Sequence, residues 1–96
     1  MDEDIKVAIE HVVTIISEAL RKRKEEGIEL ERKTRNFWKK IKKRLPEEVG
    51  TALEENATAE ANQAAFTKGM GELMESQSIK MIVVSFLYNQ GIELFD

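Results

Sequence analysis

Eight apolar residues stand at positions 5, 8, 9, 12, 13, 16, 19 and 20: Ile5, Ala8, Ile9, Val12, Val13, Ile16, Ala19 and Leu20. That is the i, i+3, i+4, i+7 spacing of one helix face. A strand, whose side chains alternate with a period of two, would scatter them over both faces. At about 100° per residue, and with Ile15 included, they fill an arc of about 160°, wider than the stripe of an ordinary surface helix. The segment 3–26 is therefore expected to be a central helix that touches more than one neighbour. Its opening acids Asp2, Glu3 and Asp4 suit the positive end of the helix dipole, and Arg21 to Lys24 suit the negative end. Gly27 can supply the left-handed residue that ends it.

A second helix is expected over 28–45. Leu30, Thr34, Phe37, Trp38, Ile41 and Leu45 share an arc of about 100° from which every Lys and Arg is excluded. Arg32, Arg35, Lys39, Lys42 and Lys43 cluster opposite, and Lys33, Lys40 and Arg44 flank them. Pro46 ends the segment, because a proline pushes its predecessor out of the α region.

From 47 to 75 the residues favour helix, with Thr51-Ala52-Leu53-Glu54 in the form of a capping box and Gly50 ending a short turn before it. In one straight helix Val49 and Leu53 would point about 100° away from Phe66, Met70 and Leu73, so a kink or a break is expected near Asn56 to Thr58. Gly69 and Gly71 weaken the last turns. The segment 78–90 is apolar nearly all round and must be buried on two faces. Its run Met81 to Tyr88, followed by Asn89-Gln90-Gly91 and Ile92 to Phe95, could also be read as a hairpin over 79–95. Helix is preferred: a lone hairpin has no further strand to pair with, and Gly91-Ile92 fits a helix C-terminal motif in which Ile92 packs back on Leu87. The expected fold is all-α, a compact bundle of about four helices forming a single domain over 1–96.

Composition narrows the function. A 96-residue chain holds one core, and one without cysteine has neither a disulfide framework nor a thiolate metal site. The acidic N-terminus lacks the basic-then-apolar plan of a secretory signal, and the apolar run at Met81 is far shorter than the roughly 20 residues of a membrane span. A cytoplasmic protein is expected.

Catalytic residues are scarce. His11, the one imidazole, sits at the edge of the first helix's apolar arc and reads as structural. No Glu-x-x-His pair and no G-x-S-x-G occurs, and Gly69-Met70-Gly71 lacks the third glycine of a dinucleotide loop. The glutamates from Glu47 to Glu75 spread around their helices and read as solvated rather than as metal ligands. Phe66, Met70, Leu73 and Met74 read first as core, with a Met-lined partner groove as the other possibility. No enzyme activity, cofactor or metal is expected.

Charge is the sharpest signal. Residues 1–20 carry one Lys against five acids, net −4, whereas 21–44 carry twelve Lys and Arg against four acids, net +8; 45–75 come to −6 and 76–96 to −1. The overall −3 therefore conceals one strongly basic block. Such a block can be a solvated face whose cations pair with acids on the next helix. It can also steer an oppositely charged partner. The expectation is protein association of adaptor, regulator or inhibitor type with an acidic partner, through Arg32, Arg35, Lys39, Lys42 and Lys43. Trp38, at the margin of the apolar arc, would be the interface anchor. Self-association, as a homodimer, is expected as well, because the first and last helices are apolar over wider arcs than so small a bundle can easily cover. Nucleic acid is the alternative partner, its phosphates tracked by the same cations and one base stacked on Trp38. The stretch from Phe37 to Leu45 also has the look of a membrane-surface or calmodulin-target helix.

Overall fold

The computed structural model describes residues 3–94. Among the described residues it contains five helices and no strand: α1 Glu3–Glu26, α2 Arg32–Lys42, α3 Glu47–Glu55, α4 Glu60–Leu73 and α5 Gln77–Asn89. The fold is the all-α bundle expected, with the third segment divided in two. Asp2 and Phe95 lie outside the described residues.

α1 packs against each of the other four helices. Its wide apolar arc explains this: Ala8, Ile9, Val12, Ile16 and Leu20 are all at most 2% exposed, and Ile5, Val13, Ile15 and Ala19 pack against the margins of the same core. Each fully buried Val, Ile or Leu stabilises the fold by about 1.5 to 3 kcal/mol relative to exposure. Twenty-four residues rising about 1.5 Å each give the helix a length that matches the 36 Å long axis of the molecule. The remaining helices form two pairs laid against it, α3 with α4 and α2 with α5.

α2 is shorter at both ends than the expected 28–45. Gly27, at φ +69°, turns the chain out of α1, and residues 28–31 are not helical. Glu31 then starts the helix: its Oε2 accepts the Thr34 N–H at 3.2 Å and the Thr34 hydroxyl at 3.3 Å. The backbone N–H groups of Lys33 and Thr34 hold the Glu31 carboxyl below its ordinary range. At the other end, Arg44 donates to the Lys40 carbonyl at 2.8 Å, and Pro46 caps the start of α3.

The break near Asn56 is present. Asn56 leaves the helical region at φ −149°, ψ 87°, and α4 resumes at Glu60. Side chains of α4 satisfy the loose carbonyls: Asn62 donates to Ala52 and Asn56, at 3.1 and 2.8 Å, and Gln63 donates to Ala57 at 2.8 Å. With the break, Leu53, Phe66 and Met70 all reach full burial, which one straight helix would forbid. The capping box does not form. α3 runs unbroken through Gly50 and Thr51, and Glu54 turns to α2 instead.

The last segment is helix, not hairpin. Ser76 caps it, its hydroxyl lying 3.5 Å from the Ile79 N–H. At its end the Ile92 N–H bonds the Leu87 carbonyl at 2.9 Å and the Gly91 N–H bonds the Tyr88 carbonyl at 3.0 Å. Those are the two closing bonds of a Schellman motif. It places Gly91 at φ +82°, where a Cβ would meet the following carbonyl. Gly91→Ala is expected to lower stability by about 1 kcal/mol, read as a lower urea midpoint at unchanged slope. An unchanged midpoint would show that the motif adds nothing.

Candidate functional site

The basic block is split by the fold into cations that are used internally and cations that are not. Arg21 is engaged by Glu18 at 2.7 Å, Glu26 at 3.1 Å and Glu25 at 3.2 Å on its own helix end. Glu18 is held below the ordinary carboxylate range, first by its hydrogen bond from Arg21. Two further cations converge on one acid of α3: Lys42 Nζ donates to Glu54 Oε1 at 2.7 Å, and Arg23 approaches Glu54 Oε2 at 3.5 Å.

Trp38 belongs to the same cluster. Its indole Nε1–H donates to Glu54 Oε2 at 2.8 Å, and its ring meets Phe66 edge-on, centroids 5.5 Å apart and planes at 82°. The residue is 2% exposed. Trp38 is therefore a core residue whose polar edge is tied to Glu54, and it is not presented at the surface as an anchor. Helical projection places it correctly at the margin of the apolar arc; what lies beyond that margin is α3. Gly50 makes the arrangement possible, because a Cβ there would sit 2.9 Å from the Lys42 Cγ, so the Lys42 stem runs over the bare α3 backbone on its way to Glu54. Burial raises the Glu54 carboxyl, and the Lys42 and Trp38 hydrogen bonds with the Lys42 and Arg23 charges outweigh it, leaving the group below its ordinary value.

Setting Trp38 and Lys42 aside leaves Arg32, Arg35, Lys39 and Lys43. All four are exposed, and among the described residues none of their side chains holds an ion pair or a hydrogen bond. At about 100° per residue they lie within about 80° of one another, a single stripe along the outer side of α2. Pairing with acids on the next helix accounts for Lys42 and Arg23, not for this stripe.

Beside the stripe, α2 and α5 enclose a groove. Its floor is Phe37 stacked on Phe86, centroids 4.0 Å apart and planes at 4°. Lys33 and Lys40 stand on the α2 wall, and Met81 and Ser85 on the α5 wall. Phe66, Met70 and Met74 are buried in the core and line no such groove. His11 is partly exposed on α1. Among the described residues no three His, Asp or Glu side chains come together in a way that could hold a metal ion, and no helix is long and apolar enough to cross a membrane.

Comparison with protein-family models, curated proteins and solved structures finds no match to the chain.

Proposed function

We propose that this chain is a non-enzymatic binding protein, of adaptor, regulator or inhibitor type, that recognises an acidic surface of a protein partner through Arg32, Arg35, Lys39 and Lys43. One observation carries the reading: four exposed cations in one line along α2 and its C-cap Lys43, none of them in an ion pair with a described acid of the chain. Such a line raises the encounter rate with an opposed surface and weakens with salt over a screening length of about 8 Å at physiological ionic strength. Nucleic acid is the second reading of the same cations. Burial of Trp38 withdraws the ring from both readings, as an interface anchor and as a platform for a base. The overall charge of −3 supports protein, since the rest of the surface repels phosphate. The chain also self-associates in this reading, through a different surface.

The test is the triple reversal Arg35→Glu, Lys39→Glu, Lys43→Glu, none of which touches the core. Capture of acidic proteins by the immobilised chain is expected to fall about 100-fold, three rim charges at roughly 1 kcal/mol each, with the circular dichroism unchanged. Undiminished capture would overturn the assignment. A mobility-shift assay with duplex DNA at two salt concentrations separates the readings: a steep loss of strong binding with salt would favour nucleic acid.

A further inference from the structure

α5 differs from every other helix in what it turns outward. A third of the chain is charged, 34%, yet residues 81–89 carry no charge at all, and Lys80 stands at the edge of the outward face. Met81 and Tyr88, seven residues apart and so on one side of the helix, are 64% and 65% exposed. Of the two helices whose wide apolar arcs suggest self-association, α1 packs on all four others and leaves Ile15 and Ala19 only partly exposed beside Ile28, whereas α5 leaves Met81 and Tyr88 largely open.

We infer that this face is the self-association surface, and that two copies pair α5 against α5 in antiparallel fashion about a two-fold axis near Val84 and Ser85. This deepens the self-association proposed above and rests on it. Three observations point to a second copy rather than another protein. The α5 segment 81–89 meets its own copy with no charge on either side, whereas a typical charged surface would lose hydration against α5 with nothing in return. The cations lining the groove, Lys33 and Lys40, are exposed at its rim and keep their water. Met81 and Tyr88 are also the two large exposed apolar side chains of this face, with the smaller Val84 and Ser85 between them, so antiparallel pairing about Val84 and Ser85 sets each Tyr88 against the other copy's Met81.

The third observation is the groove. Met81 and Ser85 form one of its walls, and a tyrosine ring delivered to Met81 arrives over the Phe37–Phe86 floor, with Lys33 and Lys40 beside it for the ring face and the phenol oxygen. Each copy thus supplies a projecting aromatic and receives one. The centre of the stripe Arg32, Arg35, Lys39, Lys43 is turned about 110° around α2 from Lys33 and Lys40, so the dimer presents two stripes to an acidic partner. One helix pair is a small interface, and a dissociation constant of about 10 to 100 μM is expected.

Sedimentation equilibrium on the whole chain, from micromolar to several hundred micromolar, tests this. A monomer–dimer equilibrium is expected that weakens at least tenfold in Met81→Glu and again in Tyr88→Glu, both changes at exposed positions that should leave the circular dichroism unaltered. Because the chain has no cysteine, a second measurement is available should either variant misfold. Ser85→Cys, at the midpoint, should cross-link two copies on mild oxidation, and Gln77→Cys, at the helix start, should not. A monomer at every concentration would overturn both self-association and this surface. A dimer indifferent to Met81 and Tyr88, or one that cross-links in the Gln77→Cys variant and not in the Ser85→Cys variant, would overturn the surface and leave self-association standing.

Discussion

Trp38→Ala should remove about 3 to 5 kcal/mol of folding stability, the range for deleting a buried large aromatic. A chain of this size has of order 5 to 10 kcal/mol in total, so the variant is expected to be partly unfolded at 37 °C. Two contributions combine. The indole leaves a cavity against Phe66, and Glu54 loses the donor that Trp38 Nε1 supplies at 2.8 Å. Trp38→Phe separates them, since it keeps a ring in the core and removes only the N–H; it should cost about 1 to 2 kcal/mol. Urea denaturation reads both. The outcome also bears on function, because an aromatic used as a surface anchor would change partner affinity while leaving the unfolding midpoint where it was. A Trp38→Ala chain as stable as the parent would return Trp38 to the interface.

Glu54→Ala is expected to cost about 2 to 3 kcal/mol. Most of this is the buried indole N–H left without an acceptor, about 1 to 3 kcal/mol, and the two partly exposed ion pairs add a few tenths each. Glu54→Gln should lose less, since its amide oxygen can still accept from Trp38. Acid gives an independent check. The Glu54 carboxyl lies below its ordinary value of 4.5 in the folded chain. Its contribution is therefore fully present above about pH 5 and is lost as the pH falls through the lowered folded value. Glu18 and Glu31 are shifted in the same direction, so the wild type as a whole weakens in acid. The difference in stability between wild type and Glu54→Ala isolates the Glu54 share, and it should shrink as the pH is lowered from 6 to 3. A constant difference would mean that Glu54 acts only by filling space.

Much of this fold is legible along the chain because its evidence is local. The α1 arc, the Gly91-Ile92 ending of α5 and the need for a break before Thr58 all follow from helical period and turn chemistry, which neighbours a few residues apart decide. The starting point of α2 is harder to read, because Glu is a less common cap than Ser or Asp and the apolar Ile28 and Leu30 extend the helical pattern back to Gly27. Thr51-Ala52-Leu53-Glu54 misleads for a different reason. A capping box and an exposed i, i+3 pair have the same spelling, and only the position of α2 makes Trp38 and Lys42 the better partners for Glu54.

The candidate site follows the same division. Its charge is visible in the −4, +8, −6, −1 succession of blocks, and the clustering of Arg32, Arg35, Lys39 and Lys43 on one helical face needs nothing beyond the period. Which of the cations are left over does not follow from it, since Lys42 and Arg23 are taken up by an acid 12 and 31 residues further on. Helical period, charge order and glycine punctuation therefore determined the class of the fold and the amphipathic character of its helices from the sequence by itself. The tertiary structure alone decided that Trp38 is inside, that Lys42 is paired, and that Met81 and Tyr88 are left uncovered. The physical reason is that burial and pairing are relations between surfaces distant in sequence. A residue's own side chain states what it can do, and only the helix packed against it determines which of those things it does.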